Sequence, residues 1–153
     1  MASKEESEVT YTTNDNDLAE AAKLKERLAQ SEGSSNNVGD KVPNVKIDEG
    51  RHKYVLISAV SSGKLEYFVT SKRGAHYHRN AAEPFVEELD RNGYKDIRIK
   101  GGGRIDFDDK SKEIHIYGYS YGFGQADHEI SKKVVSSENR FTNYKITWSN
   151  DGY

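Results

Sequence analysis

The sequence predicts an α/β domain of the α+β type: a small mixed β-sheet of about six strands flanked by two helices, behind a polar extension. Three observations carry that reading. Strand-length runs, apolar or alternating, recur from Lys53 onward, two stretches of helical spacing each follow such a run, and the composition changes character near Val45. With 153 residues there is room for one domain with a substantial core. Residues 1–44 are therefore expected to be a flexible polar N-terminal extension and residues 45–153 the folded domain.

Within the extension, Ser31-Glu32-Gly33-Ser34-Ser35-Asn36-Asn37 has a linker composition. Residues 17–29 are good helix formers with a narrow stripe of Leu18, Ala21, Ala22, Leu28 and Ala29. Being mostly alanine, that stripe has little surface to bury, and a partly formed helix on a solvated tail is expected. In the domain, Lys53-Tyr54-Val55-Leu56-Ile57-Ser58-Ala59-Val60 and Leu65-Glu66-Tyr67-Phe68-Val69-Thr70 read as a hairpin turning at Ser61-Ser62-Gly63-Lys64. A helix is predicted over about Asn80 to Asn92. Asn80 is placed as its N-cap, Glu83 as the capping-box partner and Pro84 in the first turn, with Ala82, Phe85, Val86 and Leu89 as the apolar face and Gly93 as the stop. Ile97–Ile99 and Arg104–Phe107 alternate in period two on either side of Gly101-Gly102-Gly103, and Glu113–Tyr119 returns after a polar turn. Ala126, Ile130 and Val134 mark a second helix over about Gln125 to Val135, and Tyr144–Trp148 is a last strand.

The formal net charge of −2, with Lys and Arg interspersed among Asp and Glu, leaves no basic stripe for nucleic acid. No apolar run has the length of a membrane span. Cysteine is absent, which excludes disulfides, zinc–thiolate centres and every cysteine-nucleophile hydrolase. The acidic first residues carry no apolar signal-peptide stretch, so a cytoplasmic or nuclear location is expected. Nothing calls for an obligate partner, and a monomer is expected.

The chemistry concentrates at the two helix starts. His78 lies at the mouth of the first predicted helix, where unpaired backbone N–H groups and the helix dipole favour an anion such as a phosphoryl group. A neutral histidine held there serves as nucleophile or general base. A single histidine before a helix is more often a structural group, so the other stretches must support it. The loop Tyr117-Gly118-Tyr119-Ser120-Tyr121-Gly122-Phe123-Gly124 precedes the second helix; its glycines free backbone N–H groups to face an anion and Ser120 adds a hydroxyl. Lys53 and Arg104 supply two cations. Gly101-Gly102-Gly103-Arg104 lacks the Lys-Ser/Thr ending of a P-loop. Asp106-Phe107-Asp108 reads as a solvated strand face, and His76-x-His78 has no carboxylate in ligand register. His52, His115 and His128 read as structural or surface residues.

Lys53-Tyr54-Val55-Leu56-Ile57, Tyr77-His78, Gly101-Gly102-Gly103-Arg104-Ile105, Ile114-His115-Ile116-Tyr117-Gly118-Tyr119-Ser120 and the terminal Thr147-Trp148-Ser149-Asn150-Asp151-Gly152-Tyr153 together resemble the phosphohistidine phosphatases of the Janus/Ocnus family. The resemblance runs from about Val45 to the end of the chain. It implies a hydrolase without metal or cofactor that cleaves the P–N bond of phosphohistidine, and in some members phospholysine, in proteins or peptides, releasing inorganic phosphate. It also assigns roles: His78 as the catalytic histidine, Lys53 as the phosphate-binding lysine, and Ser120, Gly122, Tyr77 and Arg104 as phosphate- or substrate-binding residues. A family arginine near the end of the second strand is replaced by Thr70, with Lys72 and Arg73 close by, and Tyr121-Gly122 departs from the family's smaller loop. The competing reading is a phosphate- or phosphopeptide-binding module of the same fold without turnover.

Overall fold

A computed structural model describes residues 16–28 and 41–151. The linker composition at residues 31–37 and the terminal Gly152 and Tyr153 lie outside the described residues. The elements run α1 (16–28), β1 (Val45–Lys46), β2 (Gly50–Ser61), β3 (Lys64–Ser71), α2 (His78–Arg91), β4 (Lys95–Asp108), β5 (Glu113–Tyr117), α3 (His128–Ser136), a short 3₁₀ turn (Asn139–Phe141) and β6 (Lys145–Trp148). Among the described residues the sheet has six strands in the order β1-β3-β2-β4-β5-β6, with β1–β3 and β5–β6 parallel and the rest antiparallel. It is the expected mixed α+β sheet, and the helix read within the extension at 17–29 is formed over 16–28 and packs against α2, the first of the two helices of the domain.

Each sheet face has its own core. Val55, Ile57, Ala59 and Phe68 pack with Ala82, Phe85, Val86 and Leu89 of α2 and with Leu24 of α1. Tyr54, Leu56, Ile105, Phe107, Ile114 and Ile116 pack on the opposite face with Val135 of α3 and Phe141. Alternation along β2 decides this: odd positions from Val55 face α2 and even positions face α3.

The strand count agrees with expectation for a different reason. β4 is one continuous strand, not two, and the two-residue β1 makes up the number. The register against β2 shifts between Val55 and Ile57, where two steps on β2 match three on β4, and Gly101 there has φ +127°. A bulge of this kind inserts one residue and reverses which face the following side chains take. Ile97 and Ile99 accordingly face α2, whereas Ile105 and Phe107 face α3. The glycine triplet is thus the seat of a bulge inside a strand.

Both predicted helices are displaced at their starts. The first helix begins at His78, with Tyr77 as N-cap, and Asn80 is its third residue. The Asn80 side chain accepts a hydrogen bond from the Tyr77 N–H at 2.9 Å, so Asn80 supplies the reach-back expected of Glu83. Glu83 pairs instead with Arg79 at 3.0 Å and with Arg27 of α1 at 3.1 Å. Pro84 lies in the second turn. The second helix starts at His128, capped by Asp127, whose carboxylate accepts from the N–H groups of Glu129 and Ile130. Residues 16–28 bury Asp17, Ala21 and Leu24, each 0% exposed. That face is rotated from the alanine-rich stripe read in the sequence, and Leu18 points outward at 47% exposure.

Candidate active site

The starts of α2 and α3 meet the sheet at one place, the bulged glycine triplet. A Cβ at Gly102 would stand 2.7 Å from the Tyr54 carbonyl, 2.9 Å from the His78 ring and 3.1 Å from Ser120. At Gly103 it would stand 2.3 Å from the Tyr117 carbonyl and 2.8 Å from the His128 ring. The triplet lets two imidazoles and the 118–124 loop close onto a strand. Gly103→Ala is expected to destabilise the domain by about 3 kcal/mol or more, because a backbone carbonyl cannot yield as a side-chain tip does; urea unfolding checks it, and an unchanged midpoint contradicts the packing described.

The loop is tied down by backbone bonds. Ser120 and Gly124 exchange N–H···O contacts of 3.1 and 2.8 Å, Gly102 N–H donates to the Gly124 carbonyl, and Ala126 N–H donates to the Gly102 carbonyl. Ser120 is 1% exposed, and its hydroxyl accepts from the Phe123 N–H. The Gly122 N–H donates to the Asp17 carboxylate of α1.

His78 is fully buried. Its Nε2 lies 2.9 Å from the Gly103 carbonyl, which can only accept, so that nitrogen carries a proton and Nδ1 faces the anion site. Lys53 is 9% exposed and stands directly opposite Arg104 across β2 and β4, so both cations lie on the α2 face. Like charges in register are unfavourable unless an anion sits between or beside them. Burial and the Arg104 charge push the Lys53 ammonium below its ordinary value, and the Asp17 carboxylate pulls it back.

The group in the anion position is Asp17 of α1, a residue that the sequence reading took only as part of a helix. Its Oδ1 accepts from the His78 N–H at 2.8 Å and lies 3.0 Å from His78 Nδ1; its Oδ2 accepts from Ser120 Oγ at 2.8 Å and from the Gly122 N–H at 3.1 Å. Burial alone would oppose ionisation. The hydrogen bonds and charge of His78, with the Gly122 N–H, outweigh it and hold the Asp17 carboxyl well below the ordinary carboxylate range. A carboxylate can only accept, so the Nδ1 contact is a hydrogen bond when Nδ1 is protonated as well.

Of the residues expected at the site, His78, Ser120 and Gly122 converge on one carboxylate, and Lys53 is coupled to it electrostatically. Arg104 joins through its register with Lys53. Tyr77 is half-buried as the α2 N-cap, with its N–H held by Asn80. Thr70 is buried, while Lys72 and Arg73 line a separate exposed groove with His76, Asn80 and Glu83. Among the described residues no group of three or more histidine or acidic side chains is placed to hold a metal ion.

His128 has a structural environment. Its Nε2 is 2.8 Å from the Gly118 carbonyl and its Nδ1 is 2.6 Å from the Tyr54 hydroxyl, which lies 2.9 Å from Ser131 Oγ. The consistent assignment has Nε2–H donating to Gly118, the Tyr54 O–H donating to Nδ1, and the Ser131 O–H donating to Tyr54. Burial pushes His128 below its usual 6.5, against the pull of the Gly118 carbonyl and Asp127. The unfolded chain therefore binds this proton more readily than the folded one. Stability is fully present above pH 6.5 and declines as pH falls through the depressed folded value. Thermal melts of wild type and His128→Gln between pH 7.5 and 5 check this; the slope is expected to flatten in the variant, and an equal slope in both contradicts the assignment.

The fold and site define a small α+β domain with a preformed anion cradle built from two helix-proximal segments. Comparison with known proteins places that class. The model of the Janus/Ocnus family matches residues 39–145. The chain is similar to the 14 kDa phosphohistidine phosphatase of Sus scrofa, 38% identical over 120 residues that cover 73% of this chain and 93% of the pig protein. The Homo sapiens protein of the same name is 37% identical over 120 residues, covering 73% and 94%. Sex-regulated protein janus-B of Drosophila teissieri is 36% identical over 111 residues, covering 71% and 79%. The chain belongs to the Janus/Ocnus family. No helix among the described residues is long and apolar enough to cross a membrane.

Proposed function

We propose that this protein is a metal-independent phosphohistidine phosphatase, acting on the P–N bond of phosphohistidine in proteins or peptides. The observation that carries the reading is the convergence of the His78 N–H, Ser120 Oγ and the Gly122 N–H on two oxygens of one buried anion, with His78 Nδ1 beside them. A phosphoryl group bound in place of that carboxylate presents its oxygens to the same donors, and Lys53 offsets its extra charge. The similarity to proteins named phosphohistidine phosphatases supports the choice of substrate.

In this mechanism Gly103 fixes the Nε2–H tautomer, so the Nδ1 lone pair faces phosphorus. Either Nδ1 attacks phosphorus directly or it takes a proton from the attacking water. In the first route a P–Nδ1 bond forms as the substrate P–N bond breaks, the leaving imidazole nitrogen picks up a proton, and water later hydrolyses phospho-His78. In the second the water oxygen forms the new P–O bond as the substrate P–N bond breaks, Nδ1 takes the water proton, and the leaving imidazole nitrogen departs protonated. A protonated phosphoramidate nitrogen is already a good leaving group. The chain's residues therefore supply orientation and charge stabilisation, and no Lewis acid is required. The enzyme is proposed to act as a monomer.

Phosphorus NMR of a phosphohistidine peptide with the full chain and a chelator tests this. Conversion of the P–N resonance to inorganic phosphate faster than in buffer is expected. Phosphate binding without any acceleration would make the chain a binding module.

A further inference from the structure

The group that fills the proposed phosphate cradle comes from outside the segment that the family model matches, which begins at residue 39. We infer that α1 is an autoinhibitory segment whose Asp17 carboxylate acts as an internal stand-in for the substrate phosphoryl group. The inference rests on the phosphate-binding reading of the site and adds to it a regulator carried on the same chain.

Four features show that α1 is seated by more than one carboxylate. Gly122 receives it at close range: a Cβ there would come within 2.6 Å of Ala21 Cβ and of the Asp17 carbonyl, and 3.0 Å of Leu18 Cα. Both polar groups of Gly122 are engaged by the helix, its N–H by Asp17 and its carbonyl by Lys25 Nζ at 2.9 Å, with the same ammonium 5.6 Å from the Phe123 ring centroid. On the α2 side, Arg79 pairs with Glu20 at 2.7 Å, and Arg27 pairs with Glu83 and Glu87 at 3.1 and 3.3 Å. Leu24 is buried in the α2 core beneath them.

Docking blocks the site twice. The carboxylate oxygens occupy the donors that a phosphoryl group needs, so substrate and α1 cannot bind together. The Asp17 Oδ1 also stands 3.0 Å from Nδ1, in the space that phosphorus or the attacking water must occupy in either route. The closed chain is inactive, and apparent affinity for any phosphoryl ligand is reduced by the fraction of molecules in which α1 is displaced.

The test is inorganic phosphate affinity, measured by calorimetry on the full-length wild type, Asp17→Ala and Ala21→Arg, alongside phosphohistidine-peptide hydrolysis. Ala21→Arg keeps the carboxylate and lies outside the catalytic machinery, but cannot seat against Gly122. Both variants are expected to bind phosphate about tenfold or more tightly than wild type and to hydrolyse the peptide faster by a similar factor. Equal or weaker phosphate binding in both variants overturns the inference; weaker binding would make Asp17 a positioning residue for His78. Tighter phosphate binding without hydrolysis in any variant leaves the occlusion standing and removes the phosphatase reading. Phosphate binding to none of the three overturns the cradle itself, and the inference with it.

Discussion

His78→Ala is expected to lose phosphohistidine hydrolysis by about 10²–10⁴-fold, the share that a single positioned acid–base histidine typically supplies. The loss is expected to fall on kcat, because the backbone N–H at position 78 survives the substitution and remains available to a phosphoryl oxygen in the proposed mode of binding. Removing the ring also leaves the Gly103 carbonyl without its 2.9 Å donor, so a lower melting temperature accompanies the loss. His78→Gln separates the two effects, since its amide can restore a donor to Gly103 but cannot take a proton or form a phosphoenzyme. Steady-state rates of both variants, with melting curves beside them, make the check. A His78→Gln enzyme with wild-type kcat would remove His78 from the chemistry and leave it a structural role.

Lys53→Met is expected to weaken phosphate binding by roughly tenfold to a hundredfold, the range for losing one charge-assisted hydrogen bond of about 1.5–3 kcal/mol. Its stability is expected to move the other way. Lys53 is buried and directly opposite Arg104, and an apolar side chain of similar length removes both the desolvation cost and that repulsion. Phosphate calorimetry and thermal melts on one sample therefore give opposite signs. A variant that is less stable and binds phosphate normally would show that Lys53 serves packing alone.

Much of this fold was legible because hydrophobic period survives in its strands and helices. β2 and β3 read as a hairpin, and Ser62 and Gly63, with φ of 52° and 79°, form the turn that their spacing required. β4 was misread as two strands for a physical reason: a bulge at Gly101 reverses side-chain parity, so the alternation on either side looks like two elements. The start of α2 was misplaced because Asn80 has the chemistry of a cap, whereas Tyr77 takes the extended cap conformation without it. The extra N-terminal residues bring His78 into the first turn and beneath the loop. The cradle itself was readable from a histidine at a helix start and a glycine-rich loop with a serine. Asp17 was not. It sits in a polar stretch 61 positions before His78, where an aspartate at a helix start is ordinary, and only the tertiary seat against Gly122 gives it meaning. The buried face of α1 was missed likewise, because Leu24 lay outside the alanine-rich stripe that the sequence favoured.

The amide spectrum of the full-length Asp17→Ala chain, titrated with inorganic phosphate and then with a phosphohistidine peptide, decides whether His78 and Gly122 hold a phosphoryl group. The backbone N–H resonances of His78 and Gly122 are expected to shift together and saturate at one ligand concentration, and the same two resonances in wild type to move only at higher concentration. Shifts confined to the Lys72, Arg73 and His76 groove, with His78 and Gly122 unmoved, would contradict it.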